Sequence, residues 1–153
     1  MKQLDLPEHG TQEDLMRERF RMACQYISDA QCEMQRESYN TAVNRAYYAL
    51  FKTISALQAL DGLAFRSHGQ AIGAFNREYI HHVACFPPAY GTQLHDIMQL
   101  RHTSDYDDFI VPTEKQTQDA ICFAIEFYFS VKEYCEKRLG HELDIPAEPQ
   151  RTS

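Results

Sequence analysis

The sequence contains no tryptophan and only six prolines, and it has no long apolar run. Bulky core contacts must therefore come from the nine tyrosines and nine phenylalanines. The prolines stand at positions 7, 87, 88, 112, 146 and 149, so long stretches are free to form helices. No apolar run reaches the roughly 18 residues of a membrane span, and no apolar signal segment opens the chain. We expect a cytoplasmic protein that does not enter a membrane.

Cysteine and basic residues also occur in patterns that exclude some classes of protein. The five cysteines are odd in number, and no two have a CxxC spacing, which argues against a zinc finger and favours small buried side chains in a reducing compartment. His81 and His95 have no ligand partners at a metal-binding spacing, so neither a metal nor a cofactor is predicted. The net charge of −7 disfavours a protein that coats nucleic acid, although it permits a local arginine site.

Apolar residues recur at steps of three and four, which predicts helices over about 11–35, 38–60, 69–82, 89–103 and 112–139. Thr11 and Asp14 have the spacing of a capping box, and Gly62 and Gly140 are suited to helix ends. Residues 104–111 are expected to be irregular. No segment alternates as a strand does. The prediction is an all-α protein, an antiparallel up-and-down bundle of four or five helices over residues 1–140, followed by a mobile tail over 141–153.

The predicted fifth helix is unusually rich in aromatic residues. One bundle seam does not need all of them, so we expect either an apolar second face that suits a homodimer or a helix packed on two sides. The aromatic residues concerned are Phe123, Phe127, Tyr128, Phe129 and Tyr134.

Three segments together resemble HEPN-domain proteins. Residues 42–51 (AVNRAYYALF) resemble the RAYYA.F pattern of the second HEPN helix, and Ser67-His68-Gly69, followed by Ala74-Phe75, resembles the HxG…F stretch that opens the next helix. Residues 101–109 (RHTSDYDDF) resemble the RxxxDYDDF stretch near the end of the fourth helix. The matches occur in the order of the family and span most of the chain.

This resemblance implies a helical bundle that dimerises. Many family members are metal-independent ribonucleases of toxin–antitoxin, CRISPR or other defence systems, and a minimal nucleotidyltransferase antitoxin is a frequent partner. Their catalytic motif is an arginine followed, after four to six intervening residues, by a histidine. Here that histidine position falls on Tyr106, Asp107 or Asp108, and the nearest histidine, His102, directly follows Arg101. The sequence therefore departs from the usual catalytic pattern.

The chemistry of RNA cleavage nominates a set of residues around Arg101. An arginine can bind phosphate through two hydrogen bonds, and a histidine or a carboxylate can take the 2′-hydroxyl proton. Arg101 and Asp105 are spaced i, i+4, and Tyr106 could donate a hydrogen bond to phosphate. We therefore assign Arg101, Asp105 and Tyr106 as candidate catalytic residues. The candidate binding residues are Arg45, Tyr48, His68, His102 and Asp107, with His68 or His102 replacing the missing base.

Structural roles are the alternatives for each of these residues. Arg101 and Asp105 could form a helix-end ion pair, worth a few tenths of a kcal/mol if exposed. Tyr47 lies on the apolar stripe of the second helix, so a core aromatic with a bonded hydroxyl is its default role. Arg45 could pair with Asp105 or Asp107, and His68 could stabilise a helix start.

Three functions stay open from the sequence. The first is a dimeric, metal-independent ribonuclease that serves as a toxin or defence effector. The second is a non-catalytic HEPN module that binds RNA, a nucleotide or a partner nucleotidyltransferase. The third is that such a partner attaches nucleotides to Tyr106.

Overall fold

The structure, a computed structural model, describes residues 2–3 and 10–151. It contains five α-helices: α1 (Gln12–Gln35), α2 (Tyr39–Leu60), α3 (His68–Phe75), α4 (Pro88–Tyr106) and α5 (Glu114–Leu139). A π-helical segment (Asn76–His82) continues α3. Two short strands, β1 (Lys2–Gln3) and β2 (Leu63–Ala64), pair antiparallel. The prediction of an all-α helical bundle is confirmed, with this two-residue ladder as the one addition among the described residues.

The helix ends follow the capping signals of the sequence. Thr11 and Asp14 form the predicted capping box, in which each side chain accepts a hydrogen bond from the other residue's backbone N–H at 3.1 Å. Gly62 has φ 71° just after α2, and Gly140 has φ 81° just after α5, so both adopt the left-handed conformation that glycine tolerates. Helix α5 begins two residues later than predicted, because Thr113 is its N-cap and Pro112 precedes the cap.

Helix α2 lies at the centre of the bundle. It packs against α1 and α5 and also contacts α3 and α4, and twelve of its 22 residues are buried. Aromatic rings fill the space around it. Phe20 on α1 meets Tyr128 on α5 edge to face at 5.7 Å between centroids, and Phe75 on α3 meets Phe127 at 5.4 Å. This central position lets α2 present residues to every neighbouring helix.

The aromatic residues of α5 serve this core. Phe123, Phe127, Tyr128 and Phe129 are all buried within the chain, and Tyr134 is half-buried. Of the two readings of that aromatic excess, the structure supports the helix packed on two sides. Large apolar side chains are exposed elsewhere, notably on the loop between α4 and α5.

Two helices differ from their predicted form. The segment predicted as one helix over 69–82 is α-helical only to Phe75 and π-helical beyond it. Helix α4 continues to Tyr106, three residues past its predicted end, so the first turn of the supposedly irregular segment is helical. The Ser104 hydroxyl donates to the Leu100 carbonyl at 2.7 Å, so this buried side chain has its hydrogen-bond partner within the helix. Asp105 is consequently a helical residue one turn after Arg101.

The residues after Gly140 lie against the bundle, whereas the sequence predicts a mobile tail. Leu143 and Ile145 are buried, and the Leu143 N–H donates to Glu136 at 2.7 Å. Glu148 accepts hydrogen bonds from the Tyr128 hydroxyl at 2.6 Å and from Lys132 at 2.8 Å. Leu143 and Ile145 are too few to form a helical or strand pattern, so the sequence did not indicate that this segment packs against the bundle. Residues 152–153, like 1 and 4–9, lie outside the described residues.

The five cysteines are all free thiols. Cys24 and Cys135 are buried as expected, Cys85 and Cys122 are partly buried, and Cys32 is exposed on α1, which departs from the expectation of a buried side chain. Across the described part of the chain, no helix is long and apolar enough to cross a membrane.

Removal of the Leu143 side chain tests the packing of the C-terminal residues. We expect Leu143→Ala to lower the free energy of unfolding by about 2 kcal/mol, the lower end for a buried leucine. Asp144→Ala is the matched control, because Asp144 is exposed and such changes stay within about 0.5 kcal/mol. Urea denaturation measures both. Equal midpoints for the two variants would show that Leu143 does not contribute to the fold.

Candidate functional site

The central helix α2, helix α4 and the start of α3 bring five residues together. Tyr47 and Tyr48 stand on α2, Arg101 and Asp105 on α4, and His68 is the first residue of α3. We call these five residues the Arg101 cluster. Its members come from rigid helices, which position side chains better than loops do.

Arg101 is fixed by aromatic rings and a carboxylate. Its guanidinium carbon lies 4.8 Å from the centroid of the Tyr47 ring and 5.6 Å from that of Tyr48, which is cation–π geometry. Its Nε lies 3.1 Å from Oδ2 of Asp105. That contact is an ion pair without hydrogen-bond geometry, and the buried Nε has no hydrogen-bond partner. The side chain keeps 27% of its surface exposed, so a ligand can reach the guanidinium.

His68 is enclosed by the same aromatic group. Its Nδ1 lies 3.1 Å from the Tyr47 hydroxyl, and its ring stacks on Phe51 with centroids 3.8 Å apart. Ser67 caps the helix start by accepting a hydrogen bond from the Gln70 N–H at 3.2 Å. The turn-stabilising role considered for His68 thus falls to Ser67, and the His68 ring is left to face α2.

Burial lowers the pKa of His68, and the positive charges of Arg101 and Lys52 lower it further. His68 is therefore neutral near pH 7, as a general base must be. Burial raises the pKa of Tyr47, although Arg101 opposes this, so the Tyr47 hydroxyl keeps its proton. A neutral imidazole and a neutral phenol thus stand beside a fixed cation.

A line of positive charge runs through the cluster in this acidic protein. The positive charge of Lys52 lowers the pKa of His68. Burial lowers the pKa of Lys52 itself, and the positive charge of Arg19 on α1 lowers it further. Arg19 is held in place by a 2.8 Å hydrogen bond to the Ser55 carbonyl. We call Arg19, Lys52 and Arg101 the positive strip: three cations from three helices, the last of them paired with Asp105.

Four candidate residues from the sequence stand outside the cluster. His102 and Tyr106 pair with each other on the outer surface, with centroids 4.6 Å apart, and Tyr106 is 80% exposed. Asp107 orders the following loop, since its Oδ1 accepts from the Phe109 N–H at 2.9 Å. Arg45 was expected to pair with Asp105 or Asp107. Instead it donates a hydrogen bond to Asn44 at 3.4 Å, and Asp105 pairs with Arg101. Of the two histidines considered as a base, His68 is the one beside Arg101.

Three residues in or beside the cluster, Tyr47, Phe51 and Lys52, were not among the site candidates from the sequence. Tyr47 has both the core role expected of it, with 4% exposure, and a direct contact with Arg101. Phe51 and Lys52 lie one turn after Tyr47 and Tyr48, so helical spacing from the RAYYA.F pattern could have suggested them. Across residues 10–151, no three His, Cys, Asp or Glu side chains converge as a metal site requires.

Comparison with known proteins gives two findings. A family model described as the HEPN domain matches residues 16–134, more than half of the chain. The chain is also similar to a protein of Thermotoga maritima named UPF0332 protein. The two are 32% identical over 116 residues, which cover 76% of this chain and 87% of the relative. The match contains all five residues of the Arg101 cluster.

The lowered pKa of His68 can be measured by NMR titration of its ring. In Arg101→Gln we expect the pKa to rise part of the way to its ordinary value, because one positive neighbour is lost while burial persists. Arg45→Gln is the matched control, since Arg45 bonds Asn44 and should leave the titration unchanged. A wild-type pKa at or above about 6.5 would contradict this account of the cluster.

The same shift predicts how stability depends on pH. Because the folded chain holds neutral His68, protonation favours the unfolded state. The contribution of His68 to stability is complete above its unfolded pKa and is lost as the pH falls through the folded pKa. Denaturation of wild type and His68→Asn at several pH values should show a smaller slope in the variant below about pH 6.5. Identical slopes would contradict the prediction.

Proposed function

This chain belongs to the HEPN-domain family, and we propose that it is a metal-independent ribonuclease of a toxin–antitoxin or other defence system. The observation that carries the proposal is the Arg101 guanidinium, held between Tyr47 and Asp105, next to a neutral His68. The His68 side chain would supply the base that the segment after Arg101 lacks.

The chemistry is transfer of a phosphodiester to the neighbouring 2′-oxygen. His68 takes the 2′-hydroxyl proton through Nε2, the 2′-oxygen attacks phosphorus, and the bond to the 5′-oxygen breaks. The leaving 5′-oxygen takes a proton from water, and the protonated His68 later returns its proton to solvent, so the products are a 2′,3′-cyclic phosphate and a 5′-hydroxyl. Arg101 stabilises the charge that builds on the phosphate oxygens. In this role His68 carries its ring proton on Nδ1, and this N–H donates a hydrogen bond to the Tyr47 hydroxyl oxygen, 3.1 Å away. Nε2 is then free of a proton and can act as the base.

Phosphate binding is favoured by the surroundings of the cluster. Lys52 and Arg19 extend the positive strip beyond Arg101, so a single-stranded RNA backbone can follow it. Tyr26 stacks on Tyr48 at 5.6 Å between centroids and offers an aromatic surface beside the strip. Bases of single-stranded RNA commonly stack on such surfaces.

The homodimer of this proposal would form through the loop between α4 and α5. Exposed apolar side chains are concentrated there and at the end of α4, with Phe109 96%, Val111 56% and the helical Tyr106 80% exposed. Such a patch is typical of an interaction surface. The loop directly follows the helix that carries Arg101, so pairing of two loops would bring two Arg101 clusters close together. A partner nucleotidyltransferase could use the same surface and reach the Tyr106 hydroxyl.

A non-catalytic module is the second candidate function. Its support is the ion pair of Arg101 with Asp105, because a guanidinium committed to a carboxylate has less capacity to stabilise a transition state. Such a protein would bind RNA, a nucleotide or a partner nucleotidyltransferase at the same surface without cleaving.

Cleavage assays with the full chain decide between the two functions. Labelled single-stranded RNA and total RNA are incubated with wild type in EDTA, and induced expression is scored for growth arrest. We expect cleavage by wild type, and a loss of at least about a hundredfold in both Arg101→Ala and His68→Asn. Arg36→Ala, a change of an exposed arginine at the end of α1 that pairs with Glu33, should cleave as wild type does.

Each other outcome has a defined meaning. A wild type that neither cleaves RNA nor arrests growth excludes the ribonuclease. RNA binding without cleavage, weakened by Arg101→Ala, supports the non-catalytic module instead. Full activity of Arg101→Ala removes the cluster from the mechanism.

The loop between α4 and α5 can be tested through the oligomeric state. We expect Phe109→Ser to shift a dimer to a monomer in analytical ultracentrifugation, because the change removes the largest exposed apolar side chain of the loop. Val83→Ser is the matched control, since Val83 is 48% exposed at a distant surface. A wild-type monomer, or a dimer that survives Phe109→Ser, would exclude this loop as the dimer interface.

A further inference from the structure

A cavity of about 610 Å³ lies at the other end of α2 from the Arg101 cluster. It opens between the last turn of α2, β2, the π-helical segment and the end of α5. Gln58 on its wall follows Tyr47 by about three helical turns, roughly 16 Å along the axis. The cavity and the Arg101 cluster share no residue. Its volume falls in the range of about 300–1,000 Å³ that is typical of small-molecule sites.

The walls of the cavity are largely apolar. Leu63 and Phe65 line one side, and Val83 and Tyr134 contribute further apolar surface. Val83 remains 48% exposed at this place, which is unusual for a branched aliphatic side chain. An apolar group of a ligand would cover these side chains.

A buried amide provides a hydrogen-bond acceptor. Gln58 is only 3% exposed, and its Nε2 donates to the Ala71 carbonyl at 2.8 Å, which fixes the orientation of the amide. Among residues 10–151, no group donates to its Oε1, yet this atom is not sealed inside the protein. Because Gln58 lines the cavity, its oxygen is available to accept a hydrogen bond from a ligand N–H there.

The charges of the cavity leave one cation uncommitted. Asp61 is satisfied, because one oxygen binds Arg138 at 2.6 Å and the other accepts from the Tyr79 hydroxyl. Arg77 takes part in no ion pair among the described residues. Its Nη1 folds back over Gly73, 3.4 Å from where a β-carbon would stand. Glu78 supplies an exposed carboxylate on the same lining.

The backbone that carries Arg77 and Glu78 is π-helical. A π-turn holds an extra residue relative to an α-turn, and such turns occur often at functional sites. Arg77, Glu78 and Tyr79, three consecutive residues, all line the cavity. The irregular turn thus places a cation and an anion at the edge of one apolar cavity.

We propose that this cavity binds a free amino acid with an apolar side chain. The carboxylate pairs with Arg77, the ammonium group donates to Gln58 Oε1 and Glu78, and the side chain covers Phe65 and its apolar neighbours. A guanidinium can hold a carboxylate through two parallel hydrogen bonds, which favours the anionic end over a hydroxyl or an amide. The site is separate from the proposed RNA site and does not depend on it.

Three ligands of similar shape test the proposal by calorimetry on the full chain. L-Phenylalanine carries both charged groups, 3-phenylpropionate lacks the ammonium group, and phenethylamine lacks the carboxylate. We expect L-phenylalanine to bind with a Kd at or below about 1 mM, and each analogue to bind at least about tenfold more weakly, because each leaves a polar group of the site unpaired.

Variants locate the binding. Arg77→Gln should weaken L-phenylalanine about tenfold and remove its advantage over phenethylamine. Arg66→Gln is the matched control, since Arg66 is an exposed arginine nearby that does not line the cavity. Ala74→Trp, which fills the cavity, should abolish binding while circular dichroism shows a helical fold.

Three results would overturn the proposal. The first is the absence of saturable binding of L-phenylalanine and of L-leucine at concentrations near 10 mM, about ten times the weakest expected Kd. The second is phenethylamine binding as tightly as L-phenylalanine. The third is binding that Arg77→Gln leaves unchanged. None of these measurements involves RNA, so a result that overturns the amino-acid site leaves the proposed ribonuclease function untouched.

Discussion

The site depends on one packing constraint, the placement of the Arg101 guanidinium against the rings of Tyr47 and Tyr48. A half-buried guanidinium loses hydration, and it needs both an aromatic face and a counter-charge in return. The rings fix where α4 meets α2, and Asp105 supplies the counter-charge only because α4 continues for one more turn. His68 then faces the same rings from the start of α3. One contact between two helices thus aligns residues from three.

Tyr47 joins the core to the site. Its ring is buried with the aliphatic residues of α2, while its hydroxyl meets His68 and its face meets Arg101. A residue in this position cannot move without disturbing the core, so the geometry of Arg101 and His68 is set before a ligand arrives. Preorganisation of this kind is the main way in which proteins stabilise charge at a site. From the sequence alone, a core role and a site role for Tyr47 are alternatives. In the structure Tyr47 is part of the core and also contacts Arg101 and His68.

What the sequence could predict was local. The Thr11 capping box, the glycine stops and the i, i+4 relation of Arg101 to Asp105 each depend on neighbours within one turn, and each is found in the structure. The contact of Tyr47 with His68 joins residues 21 positions apart, and no periodicity encodes it. The many aromatic residues of α5 suggested a second apolar face that was exposed. In the structure α1, α2 and α4 all contact α5 and bury most of these residues, and the sequence does not show how many helices surround one another. The π-helical segment lacks a sequence signal that we can identify.

The distribution of charge bears on the proposed RNA site of this acidic protein. Arg19, Lys52 and Arg101 come from three different helices, so no segment of the sequence appears basic. Burial lowers the pKa of both Arg19 and Lys52, because each cation loses part of its hydration. A phosphate that approached this strip would replace missing hydration, whereas the acidic remainder of the surface would repel it. If the chain is the proposed ribonuclease, such a field would guide a flexible RNA to one place and limit its binding elsewhere, which a uniformly basic surface would not do.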